Sequence, residues 1–316
     1  MTTLRPLGSS DLEVFPLALG GNVFGWTADE TQSFAVLDAY TAAGGNFVDT
    51  ADVYSAWAPG NKGGESETVL GRWLAARGNR SDVVIASKVG AHPDYKGLAA
   101  NTVKSGVEES LRRLGTDYID LYYTHYDDPS VPVEEFVTAL DELVRSGKVR
   151  AIAASNISAE RLQESLDFSD REGLVRYVAL QPHYNLVSRD TYEGELQDLV
   201  AASGLVAVPY YGLASGFLTG KYRPGATVDS ARAQGAAKHL ATERGQKVLT
   251  VLDQAYAEYI DDPKTVADFA ATVGDAQRLR MLYLLTYADM RAVGPGVLTG
   301  WQARILYELY ARTLAH

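Results

Sequence analysis

The chain has 316 residues, an apolar content of 46% and a formal net charge of −11 at pH 7. This length suits one large barrel or two domains, and the apolar content suits a sizeable core. The charge argues against nucleic acid or an anionic membrane as a partner, and no apolar run approaches a membrane span. The chain has no cysteine, which excludes disulfides and thiolate chemistry. Because the N-terminus has no signal-like apolar core, we expect a cytoplasmic protein.

Strand-like apolar runs alternate with helix-like stretches along the chain. A hairpin over residues 3–14 precedes a first sheet strand at 17–21 and a helix over 29–43, which Gly44-Gly45 ends. Later strands are expected at 46–50, 83–88, 119–125, 151–156, 177–183 and 206–212. Amphipathic segments lie between them at 103–114, 133–146, 159–168 and 192–202. This alternation predicts an α/β fold with a parallel sheet.

The short strands and short helices favour a closed (β/α)8-type (TIM) barrel over an open doubly wound sheet. No Gly-x-Gly-x-x-Gly pattern follows the first strand, which also weakens the open-sheet alternative. An eighth strand is expected after residues 247–253, but the pattern does not supply it, so we predict that it is missing or replaced. Residues 263–316 instead predict three helices, the first starting at Asp262-Pro263 and the last two separated by Gly294-Pro295-Gly296.

Four ionisable side chains stand at or just after the ends of predicted strands: Asp49, Tyr54, Lys88 and His125. Such groups are costly to bury and need partners or a function. An ammonium paired with a carboxylate would stabilise the phenolate that forms as Tyr54, with an ordinary pKa of about 10, gives up its proton. The carbonyl oxygen of an aldehyde or ketone needs such a proton, and His125 would orient that oxygen or relay the proton. The alternative is a structural Asp49–Lys88 ion pair beside two ordinary residues of the core edge.

Residues 1 to about 252 resemble the aldo-keto reductase family. The motifs that carry this resemblance are in the family's order and spacing: residues 7–14, 19–25, 46–54 (NFVDTADVY) and 64–67 (GESE), Lys88, His125, Ser155-Asn156, Gln181 and residues 210–221. The resemblance implies a (β/α)8 barrel that reduces carbonyl groups with a nicotinamide cofactor, usually NADPH. It also implies that Asp49, Tyr54, Lys88 and His125 are the catalytic residues.

The resemblance further assigns residues to the cofactor. Ser155, Asn156 and Gln181 would hydrogen-bond the nicotinamide carboxamide, and Tyr210 would stack on the ring. A loop would cover the pyrophosphate with Gly212, Leu213, Ser215, Gly216, Leu218, Gly220 and Lys221, since glycines permit close backbone approach and lysine adds charge. The alternatives are ordinary capping by Ser and Asn and ordinary aromatic packing.

The cofactor's 2′-phosphate is gripped in that family after strand eight, by an arginine and a following helix. This sequence has no counterpart after Asp253, so we expect weakened or absent cofactor binding unless Arg278, Arg280 or Arg291 substitutes. Trp26, Trp57 and His92 would line the substrate pocket, because they lie on loops at the C-terminal face of the barrel. Loop packing is their alternative role.

The tail resembles a different family. Residues 272–275, 282–296 and 306–310 are similar to the helical, metal-dependent hydrolase region of bacterial PII uridylyltransferases. We therefore expect two domains, a barrel over 1–252 and a helical segment of different origin over 253–316, joined in a natural or engineered fusion. The resemblance makes Asp289 a metal ligand, but its partnering histidines are absent, so we predict no metal site.

Three hypotheses for the function follow. The first is an NADPH-dependent reductase of small aldehydes or ketones, with a small carbonyl compound as partner and a homo-oligomer possible. The second is a catalytically inactive fusion whose barrel serves as a scaffold or oligomerising module, which the replaced C-terminal segment favours. The third is a sensory subunit of an ion channel, because related barrels resemble channel β subunits.

Overall fold

The computed structural model describes residues 4–223, 225, 228–258, 263–292 and 300–315. Its strands are β1 (Arg5–Pro6), β2 (Glu13–Val14), β3 (Leu19–Gly20), β4 (Phe47–Asp49), β5 (Val84–Val89), β6 (Ala91–His92), β7 (Tyr95–Lys96), β8 (Ile119–Thr124), β9 (Val149–Ser155), β10 (Tyr177–Gln181) and β11 (Val206–Ala207). Its α-helices are α1 (Glu30–Ala42), α2 (Glu65–Arg77), α3 (Ala100–Leu114), α4 (Val133–Arg145), α5 (Ala159–Glu172), α6 (Glu195–Ala202), α7 (Ala233–Leu240), α8 (Glu243–Glu258), α9 (Pro263–Val273), α10 (Ala276–Ala292) and α11 (Gly300–Leu314). Contacts divide the chain into two units, Met1–His183 with Asp190–Tyr210, and Tyr184–Arg189 with Tyr211–His316.

The first unit is built on a seven-stranded sheet with the order β11-β10-β9-β8-β5-β4-β3. Every neighbouring pair in it is parallel. Helices α1 to α6 form the crossovers between successive strands, the arrangement that parallel strands require. The sheet curls into a half-barrel, so the predicted α/β class with a barrel-type sheet and C-terminal helices is confirmed. Because all seven strands run the same way, residues at their C-terminal ends gather at one edge.

Among the described residues no eighth strand continues this sheet, and the chain goes on after β11 in helices. The strand predicted over 206–212 is much shorter. The regular strand ends at Ala207, but backbone bonds to the β10 side continue, since the Val208 N–H donates to the Leu180 carbonyl at 2.8 Å and the Tyr210 N–H to the Pro182 carbonyl at 3.0 Å. Pro209 lies between these two donors, where a backbone N–H would point away from β10, so this segment has one donor fewer for a strand on its other side.

Helix boundaries follow from local chemistry. Asp29 caps α1, since its carboxylate accepts from the backbone N–H of Gln32 while the Gln32 side chain accepts from the Asp29 N–H. Helices α2, α3 and α5 end at glycines in the left-handed conformation, Gly78, Gly115 and Gly173. Glycine adopts this conformation without the penalty that a Cβ would impose, so each helix stops cleanly before the next strand.

The core of the first unit fills the sheet's inner face at the strands' N-terminal end. The β1–β2 hairpin contributes Leu7, Leu12 and Val14 to a cluster with Phe47, Val84 and Leu121 from the sheet. The hairpin therefore covers the end of the sheet away from the strand C-termini. The opposite end keeps its polar side chains.

The second unit has its own apolar cluster, made by Val187, Ala214, Phe217, Tyr222, Ala236 and Leu249. The three predicted C-terminal helices are present as α9, α10 and α11, with Val266, Val273, Leu279 and Leu306 buried. Asp262 and residues 294–296, which were predicted to bound these helices, lie outside the described residues. Within the described part of the chain, every helix is too short or too polar to cross a membrane.

Candidate active site

Three of the four predicted catalytic residues lie at the C-terminal ends of neighbouring strands. Asp49 is the last residue of β4, Lys88 is the penultimate residue of β5, and His125 follows β8 directly. These strands are adjacent in the sheet, so their ends lie side by side. Tyr54 lies in the turn that follows β4 and completes the group.

The turn that carries Tyr54 is fixed by short-range bonds. The Tyr54 N–H donates to the carbonyl of Ala51 at 3.2 Å. Ser55 has a φ of 72°, and its buried hydroxyl donates to the carbonyl of Phe24 at 2.7 Å. Asn61 donates its side-chain amide to the Ser55 carbonyl at 3.0 Å. A non-glycine residue in the left-handed region is costly unless its surroundings hold it there, so Tyr54 is presented by a constrained turn.

Lys88 is fully buried and makes three hydrogen bonds through Nζ. It donates to Asp49 Oδ2 at 2.7 Å, to the carbonyl of Thr50 at 2.8 Å and to Tyr54 Oη at 2.9 Å. An ammonium group has three N–H donors, and each has an acceptor here. Burial lowers the pKa of Lys88 from its ordinary value, while the Asp49 carboxylate beside it raises it.

The Tyr54 hydroxyl is held between a cation and an anion. It accepts from Lys88 and donates to Asp49 Oδ2 at 3.2 Å. The ammonium favours the phenolate form of Tyr54 electrostatically, as a nearby cation does for any acidic group. A carbonyl oxygen that takes the place of Asp49 as acceptor would therefore meet a proton donor already polarised for transfer.

His125 lies beside Tyr54 as a buried, neutral imidazole. Their ring centroids are 6.0 Å apart at an interplanar angle of 72°. Burial, with a smaller contribution from the Lys88 ammonium, holds the pKa of His125 well below its usual range. Its Nδ1 has no hydrogen-bond partner among the described residues. A neutral imidazole can hold a carbonyl oxygen without competing with Tyr54 for the role of acid.

The residues assigned to the nicotinamide carboxamide are bonded to one another. The Ser155 hydroxyl donates to the Gln181 carbonyl at 2.8 Å, and Asn156 donates to the Ser155 hydroxyl at 3.0 Å. Tyr210 donates its hydroxyl to Asn156 Oδ1 at 2.8 Å and stacks on His183 with ring centroids 5.2 Å apart. A primary amide needs a donor and an acceptor, and the side chains of Asn156 and Gln181 each offer both. The donor set therefore fits a carboxamide beside an aromatic ring.

The loop assigned to the pyrophosphate belongs to the second unit. Ser215, Gly216 and Gly220 have φ values of 58°, 85° and 76°. The N–H groups of Gly216 and Gly220 donate to the carbonyls of Leu213 and Phe217 at 2.9 Å and 3.3 Å, so the loop is folded by its own backbone bonds. Lys221 Nζ lies 5.2 Å from the centre of the Tyr222 ring. Gly212, Leu213 and Leu218 complete this loop, whose role toward the cofactor stays a prediction.

The predicted substrate-pocket residues fall into two groups. The rings of Trp26 and Trp57 lie edge to face at 5.8 Å, and Trp57 lies 6.1 Å from Tyr54. His92 is instead buried, where its Nδ1 accepts from the Asp94 N–H at 3.1 Å and its ring lies 5.4 Å from Tyr95. The structure thus places Trp57 beside Tyr54 and Trp26 against Trp57, whereas the side-chain hydrogen bond and the ring contact of His92 lie within the β6–β7 hairpin.

One buried acid next to the site was not singled out from the sequence. Asp52 is fully buried. Burial, and then the nearby Glu67, raise the pKa of Asp52 to about 7, against the Arg113 guanidinium. The signal in the sequence is its position in the 46–54 motif, three residues after the strand that ends at Asp49.

The arginines considered for the 2′-phosphate lie in the second unit. Arg278 donates its backbone N–H to Asp275, and its Nε lies 3.6 Å from the Asp275 carboxylate. Arg280 Nε donates to Tyr310 Oη at 3.3 Å. The side chains of Arg291 and Asp289 lie outside the described residues.

Parallel strands that bring a tyrosine, a lysine, an aspartate and a neutral histidine together at their C-terminal ends define an α/β oxidoreductase. The family model described as "Aldo/keto reductase family" matches residues 16–272, so the chain belongs to the aldo/keto reductase family. The match runs past residue 252 and includes most of α9. Enzymes of this family act on small carbonyl compounds with a nicotinamide cofactor.

Several curated proteins are similar to the chain. A probable voltage-gated potassium channel subunit beta of Oryza sativa subsp. japonica is 37% identical over 226 residues, which cover 70% of this chain and 67% of the relative. Protein tas of Escherichia coli K12 is 34% identical over 249 residues, 71% of each chain. Norsolorinic acid reductase B of Aspergillus parasiticus is 34% identical over 235 residues, 66% of this chain and 59% of the relative.

Proposed function

We propose that this protein reduces small aldehydes or ketones to alcohols with hydride from NADPH. The observation that carries the proposal is the fully buried Lys88, whose Nζ lies 2.9 Å from Tyr54 Oη and 2.7 Å from Asp49 Oδ2. A structural ion pair alone does not need a phenol as a third member. A site that protonates a carbonyl oxygen needs the phenol as its proton donor, and it needs the ammonium to stabilise the charge that appears on the phenol.

The reaction assigns one task to each residue. Tyr54 donates its hydroxyl proton to the carbonyl oxygen, and the phenolate left behind is stabilised by Lys88. Asp49 keeps the buried lysine in its charged form. The neutral His125 donates to the same carbonyl oxygen and fixes its direction. The carbonyl carbon receives one hydride and the oxygen one proton, so the product is an alcohol and Tyr54 recovers its proton from solvent.

The bound cofactor supplies the hydride. Ser155, Asn156 and Gln181 would hydrogen-bond its carboxamide, and Tyr210 would stack on its ring. The choice of NADPH rests on the family's usual preference. Since the sequence after Asp253 has no counterpart of the loop and arginine that grip the 2′-phosphate in the family, we expect the cofactor to bind weakly unless Arg278, Arg280 or Arg291 substitutes. Trp26 and Trp57 would hold the apolar part of the substrate.

The substitution Tyr54→Phe tests the proposal. It removes the proton donor but keeps the ring that packs between Trp57 and His125, so kcat should fall by roughly 10²- to 10⁴-fold while the fold is retained. NADPH consumption with a panel of aldehydes, and circular dichroism as the folding control, would measure both. Unchanged turnover in the variant would end the proposal.

The second candidate is a catalytically inactive fusion that acts as a scaffold. The open sheet favours it, because no eighth strand closes the barrel within the described residues. We also propose that residues 253–316 derive from a protein of the PII uridylyltransferase family. We propose that the protein is cytoplasmic. A folded wild-type sample that binds no NADPH and reduces no carbonyl compound would favour the scaffold.

A further inference from the structure

Gln181 joins the predicted carboxamide site to the catalytic group. Its side chain is 5% exposed, and Nε2 donates to Asp49 Oδ1 at 2.8 Å. Gln181 ends β10 and Asp49 ends β4, and three strands separate these two in the sheet. The bond therefore crosses the inside of the half-barrel at its C-terminal end.

The two oxygens of Asp49 serve different groups. Oδ2 accepts from Lys88 and from Tyr54, whereas Oδ1 accepts from Gln181. Hydrogen bonds to a carboxylate disperse its charge and weaken its hold on other donors. When Gln181 donates to Oδ1, Asp49 attracts the hydroxyl proton of Tyr54 less strongly, and the phenol is more acidic.

The other residues of the predicted carboxamide site do not reach Asp49. Asn156 touches the catalytic group at the backbone carbonyl of His125, to which it donates at 2.8 Å. Ser155 contacts Gln181 through the backbone carbonyl of Gln181. Among the described residues of the predicted carboxamide site, Gln181 is thus the one whose side chain hydrogen-bonds Asp49 and could also hydrogen-bond a carboxamide.

We propose that Gln181 is a positioning residue whose amide divides its donation between Asp49 and the nicotinamide carboxamide, so that cofactor binding changes the acidity of Tyr54. The inference rests on the function proposed above. Without cofactor, Gln181 donates to Asp49. With cofactor, the amide turns to the carboxamide, Asp49 holds the Tyr54 proton more firmly, and the acid remains protonated until a carbonyl oxygen arrives.

The test compares the pKa of Tyr54 in wild type and in Gln181→Met without cofactor. Methionine is of similar length and unbranched but donates no hydrogen bond. Protein labelled at the ζ-carbon of tyrosine is titrated by NMR, and Tyr54→Phe assigns the signal. The pKa of Tyr54 should rise by roughly 0.5–1 unit, a fraction of the 1–3 units that a full neighbouring charge produces. If the Gln181–Asp49 hydrogen bond only joins β10 to β4, the pKa of Tyr54 in the folded variant should equal that of wild type. That result would overturn the proposal.

The chain offers a matched control. Gln163 on α5 is exposed and donates through Nε2 to Asp167 Oδ1 at 2.7 Å, the same pair of groups at the surface. Gln163→Met should leave the pKa of Tyr54 unchanged. An equal shift in both variants would contradict a role specific to Gln181.

A second measurement uses wild-type protein, so it does not depend on the folding of a variant. The side-chain ¹⁵N signal of Gln181 is followed while NADPH is added, and NADPH fluorescence reports binding independently. The signal should move as the cofactor binds. NADPH that binds and leaves this signal unmoved overturns the coupling alone, whereas a chain that binds no NADPH overturns the proposed reductase function and the coupling with it.

Discussion

Lys88 Nζ lies 2.7 Å from Asp49 Oδ2, and the lysine side chain of this pair is entirely buried. Each charge of a buried ion pair is stabilised by the other, so removing one partner leaves an uncompensated buried charge and destabilises the protein. The pair is also where stability and the proposed chemistry meet, since Tyr54 contacts both partners. Changes at Lys88 should therefore affect both properties, and the two effects can be separated.

Lys88→Met should lower the free energy of unfolding by about 3–5 kcal/mol and abolish carbonyl reduction. The loss of stability follows from the uncompensated Asp49 carboxylate, and the loss of activity from the missing ammonium beside Tyr54. Urea denaturation and NADPH consumption measure the two effects. Adding Asp49→Leu should restore much of the stability but none of the activity.

The control for this change is Lys148→Met. Lys148 pairs with Glu108, but both side chains are largely exposed, at 39% and 55%. An exposed pair contributes about 0–1 kcal/mol, so this variant should unfold almost as wild type does. Equal decreases in the free energy of unfolding in Lys88→Met and Lys148→Met would contradict a larger contribution from the buried Lys88–Asp49 pair.

The sequence indicates which residues of the candidate site end strands, but not the contacts that these residues make across the sheet. Asp49, Lys88 and His125 could be assigned because each directly ends an apolar run, and strand ends in a parallel sheet meet at one edge. The bond from Gln181 to Asp49 could not be predicted, since these residues are 132 positions apart and belong to non-adjacent strands. It depends on how far the sheet curls, which no local pattern encodes.

Helix α2 shows a different limit. The sequence indicates the start of this helix only through the 64–67 motif, because Glu65 and Glu67 interrupt the apolar periodicity. Glu67 is nevertheless fully buried, where it accepts from Ser87 at 2.5 Å and pairs with Arg113 at 2.6 Å. A buried charge with two partners cannot be told from a surface charge by composition alone.

Trp57→Ala should raise the KM for an aromatic aldehyde by about tenfold, which corresponds to ~1.4 kcal/mol of binding free energy. Trp57 is 49% exposed and lies 6.1 Å from the Tyr54 ring, where it can stack against a bound substrate. Its ring makes no bond to the reacting atoms, so kcat should change little. Propanal, which cannot stack, serves as the control substrate and should keep its KM. A fall in kcat with an unchanged KM for both substrates would contradict the prediction that Trp57 lines the substrate pocket.

His125 should make the folded state less stable below pH 6.5. Burial holds the pKa of His125 well below 6.5, so in that range the unfolded chain binds a proton that the folded chain does not. Stability therefore falls as the pH falls, by up to ~1.4 kcal/mol per pH unit from this group. His125→Gln should remove that part of the slope, as measured by urea denaturation from pH 5 to pH 8. Above pH 7 the two curves should run parallel, and parallel curves down to pH 5 would contradict the buried neutral imidazole.

Asp52→Asn should make the protein more stable at neutral pH. Burial raises the pKa of Asp52 from 3.8 to about 7, so between these values the folded chain holds a proton that the unfolded chain has lost. The stability from this proton is complete below pH 4 and is lost as the pH rises to 7. The variant should therefore match wild type near pH 4 and exceed it at pH 8 by up to ~4 kcal/mol, at 1.36 kcal/mol per unit. Asp82→Asn, at an exposed position, should stay within about 0.5 kcal/mol of wild type throughout. An Asp52→Asn variant that loses stability at pH 8 would show that the ionised carboxylate is needed by Lys88 and Arg113.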